Sequence, residues 1–414
     1  MRSRVSVVKT NAIYCGDCQN VLANTNEFPD GCVDLIYVDP PFFSNRQYEV
    51  LWGDGYELRA FEDRWKGGVE NYVAWMEGKL RECWRVLKPT GAIYLHCDSH
   101  ANAHLRLLLD RVCGHERFTA ELVWNKGFRG TERKNNWQMA HDTIFYYTKS
   151  GNHVWNDQFQ PYADPTMSRY NQADETGNKY ALIKRKRGDG TVYYGKTYPK
   201  AKGKRVNDVI DIPVLSATSA ERLGYPTQKP EALLERLILA SSNPGDVVLD
   251  PMCGCGTAIA VAHKLRRNWV GVDISPTACK LMAKRMHSLG VSISEKDIIG
   301  APKSEAEIRA LQPFEFQNWV LQRLMGRVSA KKVGDMGIDG YLFDGSPVQV
   351  KQSENIGRNV VDNFETAVRR AKQNRGMIVA LSFGSGAHEE AARARNKEGL
   401  NITLKTLAEL MGQE

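Results

Sequence analysis

Two stretches of this chain, 11–150 and 230–290, alternate short strand-like runs with helix-like segments, and this alternation restricts the fold more than any other feature. Val33–Val38 (VDLIYV) is a largely apolar run that stops at Asp39-Pro40-Pro41, as a buried strand does. Helical spacing follows over 72–87, and Lys88-Pro89-Thr90-Gly91 reads as a stop and a turn. Strands are expected at 92–96 and 143–148, with a helix at 105–112 between them. After Pro230 the pattern resumes with helices at 231–240, 258–265 and 277–289 and strands at 247–249 and 269–272. Repeated strand–helix units predict an α/β fold whose mostly parallel sheet is covered on both faces.

Between the two stretches, 151–225 breaks the pattern. It is polar, aromatic and basic, rich in Gly and Pro, and reads as an insertion that carries function and stays out of the sheet. Its charge is concentrated between Lys179 and Arg205, where Lys184, Arg185, Lys186 and Arg187 form a run and Asp189 is the sole acid. Tyr180, Tyr193, Tyr194 and Tyr198 are interleaved. Lysine and arginine can neutralise phosphates and tyrosines can stack on bases, so a nucleic-acid contact is one reading and a solvated loop the other. The formal net charge of +8 points the same way, towards a polyanionic partner.

The rest of the composition is that of an ordinary globular protein. No apolar run is long enough to span a bilayer, and the basic start lacks an apolar signal core. The nine cysteines show no paired spacing, so a cytoplasmic, reducing setting is expected. Cys15 and Cys18 have no second pair at zinc spacing and read as strand and turn packing.

Asp250-Pro251-Met252-Cys253-Gly254-Cys255-Gly256-Thr257 joins the expected strand at 247–249 to the helix after it. Ligands of open α/β sheets bind at the carboxyl ends of strands, and glycines at 254 and 256 let backbone approach a ligand closely. Asp273 closes the next strand, where an acid can accept hydrogen bonds from both hydroxyls of a ribose. No Gly-Lys-Ser/Thr follows, which disfavours a phosphate-cradling loop. A plain tight strand–helix turn remains the alternative for this segment alone.

Asp39-Pro40-Pro41-Phe42 carries a different chemistry. Two prolines stiffen the backbone and remove two donors, leaving carbonyls to accept. A carboxylate beside a rigid carbonyl can accept both hydrogens of an exocyclic amine, which draws the nitrogen lone pair out of the ring and aims it at a methyl group. Phe42 offers a face for a base taken out of its duplex. No general base is demanded, because the amine can lose its proton to water after transfer, and catalysis is then mainly positioning.

With these pieces in order, residues 11–290 resemble the β-class amino-methyltransferases of DNA, including modification subunits of type III restriction systems. IYCGDC from Ile13 resembles the opening strand and turn, VDLIYVDPPF the catalytic motif, and HDTIFYYTKS from His141 the motif before the target-recognition region. YPTQKPEALLERLILASSNPGDVVLDPMCGCGT from Tyr225 resembles two cofactor motifs in succession. The catalytic motif precedes the cofactor loop, which is that family's circular permutation.

The resemblance implies a Rossmann-like, circularly permuted sheet that binds S-adenosyl-L-methionine and methylates double-stranded DNA. It implies that Asp39, Pro40, Pro41 and Phe42 hold and stack the target base. Asp250, Pro251, Cys253, Gly254, Gly256 and Thr257 would surround the cofactor's amino-acid part, with Thr227 and Lys229 beside its methionine moiety. Asp273 would hold its ribose and Asp17 its adenine end. Met252 and Cys255 stand where the family usually has Phe and Ser. The leading Asp39 implies adenine N6 as target, since relatives that methylate cytosine N4 usually begin this motif with Ser. A homodimer and a separate restriction subunit are both compatible with the resemblance.

Residues 291–312 are polar and charged and read as a linker, and 313–412 as a second, smaller α/β unit. There Asp339 stands before Tyr341–Phe343, and a turn at Asp344–Pro347 leads to Gln349 and Lys351, which share a face two residues apart. An acid, Asp339, a second oxygen ligand and a lysine could hold Mg²⁺ and stabilise a pentavalent phosphate, and Glu315 at the head of the preceding helix could join the group. This unit resembles the PD-(D/E)xK nucleases, in particular the Mrr-like branch with Gln in place of the second acid. The alternatives are an inactive DNA-binding module and a hairpin with a solvated lysine.

The sequence thus favours an adenine-N6 DNA methyltransferase of restriction–modification type with a nuclease-like domain. A cytosine-N4 enzyme, an endonuclease that uses the methyltransferase part for recognition or self-protection, and a DNA-binding protein with two decayed sites are the competing readings.

Overall fold

The computed structural model describes residues 8–41, 47–51, 57–62, 68–127, 134–216, 218–225, 227–324, 326–328, 337–342 and 344–412. Its main sheet is built from β1 (Ala12–Cys15), β2 (Val33–Val38), β3 (Leu87–Cys97), β4 (Phe118–Asn125), β5 (His141–Thr148), β6 (Val209–Asp211), β7 (Val247–Asp250) and β8 (Asn268–Asp273). The spatial order is β1-β8-β7-β2-β3-β5-β4-β6. Neighbours run parallel except β5, which is antiparallel to β3 and β4.

Alternation along the strands sends consecutive residues to opposite faces. Ile36, Val38, Leu249 and Val270 pack under α1 (Cys18–Leu22), α2 (Gly68–Val86) and α3 (Asn102–Cys113). Leu35, Tyr37, Val248 and Trp269 pack under α4 (Glu231–Ser241), α5 (Thr257–Lys264) and α6 (Pro276–Ser288). Both faces are therefore covered, which explains why strand runs such as Val247–Asp250 are buried throughout.

Two expectations need correction. The stop and turn expected at 88–91 lie inside β3, whose Leu87 pairs with Val33 ahead of a register shift between Val33 and Leu35. Pro89 and Thr90 are exposed at this irregularity, where a missing N–H costs little, and Lys88 Nζ is 2.8 Å from both carboxylate oxygens of Asp34. The insertion also does not stay out of the main sheet. Its β6 adds a parallel edge beside β4, with Ile210 buried and the Trp124 indole donating to Ile212 O at 2.7 Å. Three residues are too few to show a period.

The C-terminal unit contains α7 (Pro313–Arg323), β9 (Gly340–Tyr341), β10 (Pro347–Lys351), α8 (Arg358–Arg370), β11 (Arg375–Ala380), α9 (Ser385–Glu398), β12 (Asn401–Thr406) and α10 (Leu407–Met411). β9 and β10 are antiparallel, and β10, β11 and β12 parallel. Phe364 and Val368 of α8 pack with Ile378 and Ile402, while Phe316 and Val320 of α7 pack with Val379 and Leu410. Ahead of this unit, Ile299 lies along β1, where its N–H donates to Ile13 O at 2.9 Å and its carbonyl accepts from Cys15 N at 2.7 Å. Among the described residues no helix is long and apolar enough to cross a membrane.

Candidate active site

The sheet reverses its winding between β7 and β2, and the crevice outside the carboxyl ends of adjacent strands at such a point is where open α/β sheets bind ligands. A cleft with about 1070 Å³ of open space lies there. It collects residues from distant parts of the chain: Asp17, Asp39, Pro40, Pro41, Thr227, Lys229, Asp250, Pro251, Cys253, Gly254, Thr257 and Asp273 all line it. Phe42 lies outside the described residues.

The loop after β7 takes its shape from two glycines. Gly254 (φ +53°) and Gly256 (φ +78°) adopt left-handed backbone, and a Cβ on Gly256 would lie 3.0 Å from Met282 Cγ. Gly256 thus caps α5 from behind the cleft wall without lining it. Asp273 is held by two backbone amides, Gly254 N at 2.8 Å to Oδ2 and Ser275 N at 2.9 Å to Oδ1. Burial pushes its carboxyl up to about 6, against the pull of those amides. Asp250 accepts from Met252 N at 3.1 Å, and its burial, with Asp39 and Asp273 nearby, raises it well above the usual carboxylate range. Cys255 is buried and the Arg285 guanidinium donates to its carbonyl at 3.2 Å and to Thr257 Oγ1 at 3.1 Å. Met252 packs against the core on the α2 side.

At the other side of the cleft, Asp39 Oδ2 accepts from Lys229 Nζ at 2.5 Å, while Asp39 Oδ1 is buried and has no hydrogen-bond partner among the described residues. The Tyr72 hydroxyl donates to Pro41 O at 2.7 Å, so one of the two proline-region carbonyls is already engaged by α2. Behind Asp39 runs a buried polar chain. Tyr37 Oη and His96 Nδ1 share a hydrogen bond of 2.8 Å, His96 Nε2 lies 3.4 Å from Asp142 Oδ2, and Lys126 Nζ donates to Asp142 Oδ1 at 2.5 Å. Burial, then the charge of Lys229, lowers His96, which is therefore neutral at pH 7. Burial opposes ionisation of Asp142, but His96 and Lys126 outweigh it and bring the carboxyl down to about 2.

Asp17 N-caps α1 by accepting from Gln19 N and pairs with Lys79 Nζ at 2.6 Å. Sequence reading missed Lys79, Tyr72, Tyr225, His96 and Arg285. Lys79 had a signal: it falls within the buried stripe Tyr72, Met76, Leu80 and Cys83 of α2, and a lysine there demands an acid.

In the insertion, Lys179–Lys186 pairs antiparallel with Val192–Thr197 in a three-stranded sheet of its own. Lys184, Arg185, Lys186 and Arg187 are all exposed, but alternation sends Lys184 and Lys186 to one face and Arg185 to the other. Arg185 donates to Thr197 Oγ1 at 3.0 Å and the Arg187 guanidinium lies 5.2 Å from the Tyr193 ring centre. Tyr194 is 64% exposed.

In the C-terminal unit, Val350 N donates to Asp339 Oδ2 at 2.7 Å, which sets Asp339 beside the strand between Gln349 and Lys351. Gln349 is buried and its Oε1 has no partner among the described residues. Glu315 does not join this group. It faces the other unit, where it accepts from Thr277 Oγ1 at 3.5 Å, and burial pushes its carboxyl up to about 8. Gln317, two positions on, donates to Asp339 O at 3.2 Å. Two residues on a helix are about 200° apart, so the face of α7 that meets Asp339 excludes Glu315.

A family model for DNA methylases acting at N6 or N4 matches residues 33–285, and one for restriction endonucleases of the Mrr type matches 308–412. The DNA adenine methyltransferase YhdJ of Escherichia coli K12 is 30% identical over 270 residues, 64% of this chain and 80% of that one. The type II methyltransferase M.HinfI of Haemophilus influenzae is 28% identical over 286 residues, 67% of this chain and 69% of that one. Among solved structures, the cytosine-N4-specific PvuII DNA methyltransferase aligns over 70% of this chain and 90% of its own, with 17% identity and a TM-score of 0.46. The methylase match spans more than half of the chain, and the chain belongs to the N6/N4 DNA methylase family, with an Mrr-type restriction endonuclease domain behind the methylase domain.

Proposed function

We propose that the protein methylates adenine N6 in DNA, using S-adenosyl-L-methionine. The observation that carries the reading is Asp39 Oδ1: a buried acceptor without a partner among the described residues, in the same cleft as the loop at 250–257. Buried acceptors are nearly always satisfied, so this oxygen fits a donor brought by substrate, such as an exocyclic amine. Asp39 at the head of the motif, and the adenine specificity in the name of the Escherichia coli relative, favour adenine over cytosine N4.

The residues also fit the cofactor. Asp273, fixed by two amides, suits a ribose diol. Ile274, 60% exposed at the cleft, and Trp75 offer apolar surface to a purine ring, and Asp17 stands beside them. Asp250, Pro251, Cys253, Gly254 and Thr257 would enclose the amino-acid part, while Gly256 shapes the loop from behind. When bound, S-adenosyl-L-methionine supplies the methyl group.

The protein's own contribution is positioning. With Pro41 O engaged by Tyr72, the acceptors for the amine are Asp39 Oδ1 and Pro40 O. These withdraw the nitrogen lone pair from the ring and hold it for attack, and the surplus proton leaves to water. Lys184, Arg185, Lys186 and Arg187 would contact the phosphates of double-stranded DNA. Asp39→Ala should lower labelled methyl transfer to unmethylated DNA by about a hundredfold or more, with the cofactor still bound. Transfer at the wild-type rate in this variant would refute the role of Asp39.

A second activity rests on Asp339, Gln349 and Lys351. The oxygens of Asp339 and Gln349 suit a hard cation such as Mg²⁺, and Lys351 would stabilise charge on a phosphate. Mg²⁺-dependent nicking of plasmid DNA that disappears in Lys351→Ala tests it. Equal nicking by both proteins would remove it.

A further inference from the structure

The resemblance to relatives assigns Lys229 to the cofactor's methionine end. The structure assigns it elsewhere: we infer that Lys229 is the positioning residue for Asp39, and fixes which carboxylate oxygen meets the substrate amine. The inference rests on the methyltransferase reading.

Lys229 Nζ lies 2.5 Å from Asp39 Oδ2, and the two side chains are 8% and 17% exposed. The ammonium also reaches the carbonyl of Thr227 at 3.4 Å. Lys229 immediately precedes Pro230, the buried N-cap residue of α4, so its backbone is anchored to a core helix. A carboxylate otherwise turns about its last bond. Here an ammonium pins one oxygen, and the second oxygen, Oδ1, has a single orientation and no partner among the described residues. The division of labour follows: Oδ2 belongs to the lysine, Oδ1 to the incoming amine.

The charge matters as much as the geometry. Asp39 shares its cleft with the buried Asp250 and the half-buried Asp273. The neutral Tyr37, His96 and Tyr225 also lie close enough to feel the charges there. Lys229 is the cation in contact with Asp39, whereas Lys79 serves Asp17 and Arg285 serves the loop and Glu231. A largely buried carboxylate that loses the cation it touches is destabilised strongly.

Full-length wild type, Lys229→Met and Lys229→Arg would be compared by calorimetric titration with S-adenosyl-L-methionine and by single-turnover methyl transfer at saturating cofactor. The account expects Lys229→Met to bind the cofactor within about threefold of wild type, while the transfer rate falls by about a hundredfold. Lys229→Arg, which keeps the cation, should restore at least a tenth of the rate. Cofactor affinity weakened tenfold or more with the saturated rate unchanged would make Lys229 a cofactor ligand and overturn the inference. Wild-type rate and affinity in Lys229→Met would overturn it too, leaving a merely structural ion pair. Should the Met variant not fold, Lys229→Gln carries the same comparison. Absence of transfer by the wild type itself would instead refute the methyltransferase reading.

Discussion

At the scale of single residues, burial decides what each carboxylate does. Asp142 is driven ionised by His96 and Lys126, whereas Glu315 is driven neutral by burial and the nearby charge of Asp273, against the pull of the Ser275 and Thr277 hydroxyls. For Glu315 the sign is clear. Its folded carboxyl, near 8, lies above the unfolded value near 4.5, so between those pH values the native state binds the extra proton. Its stabilising contribution is present below pH 4.5 and is lost as pH rises through 8. Glu315→Gln, a permanently neutral equivalent, should therefore match wild type in thermal unfolding at pH 5 and exceed it at pH 8.5, by on the order of a few kcal/mol. Equal midpoints at pH 8.5 would show that Glu315 is not held neutral.

At the scale of elements, long periodic segments were legible and irregular ones were not. The buried strands at 33–38 and 247–250 announce themselves by short, largely apolar runs, and the loop at 250–257 by glycines that left-handed backbone requires. The extension of β3 through Pro89 was hidden because proline normally ends a strand, and only the pairing partner Val33 reveals the tolerated irregularity. Much of the cleft was readable from its motifs, but Tyr72 and Arg285 were not, because their roles depend on which distant group they meet across the fold. Glu315 was misplaced for the same reason: sequence puts it on the helix before Asp339, and only the helix rotation shows that it faces away. The hairpin at 179–197 was legible in charge but not in form, since alternation splits its basic run between two faces. Lys184 and Lys186 share one face, so replacing both by Ala should reduce the salt dependence of DNA binding by about two phosphate contacts, measured as the slope of log affinity against log salt. An unchanged slope would place that face away from the duplex.

At the scale of the whole molecule, α7 touches both units: Glu315 reaches the start of α6 beside Asp273, and Gln317 holds the backbone of Asp339. The two proposed chemistries nonetheless use separate residues. Lys351→Ala should abolish Mg²⁺-dependent cleavage and leave methyl transfer, assayed without divalent metal, within about twofold of wild type. Loss of both would show that the C-terminal unit is needed to build the methyltransferase site. If the C-terminal unit cuts DNA as proposed, a plasmid methylated by this protein should resist the cutting that its unmethylated copy suffers, and equal cutting of both would contradict protection by methylation.

The central claim is the identity of the methylated atom. Unmethylated genomic DNA incubated with the protein and labelled S-adenosyl-L-methionine, without divalent metal, can be digested and its nucleosides separated. The account predicts label in N6-methyladenine, and its disappearance in Asp39→Ala. Label in N4-methylcytosine, or none in any base while the cofactor is bound, would contradict it.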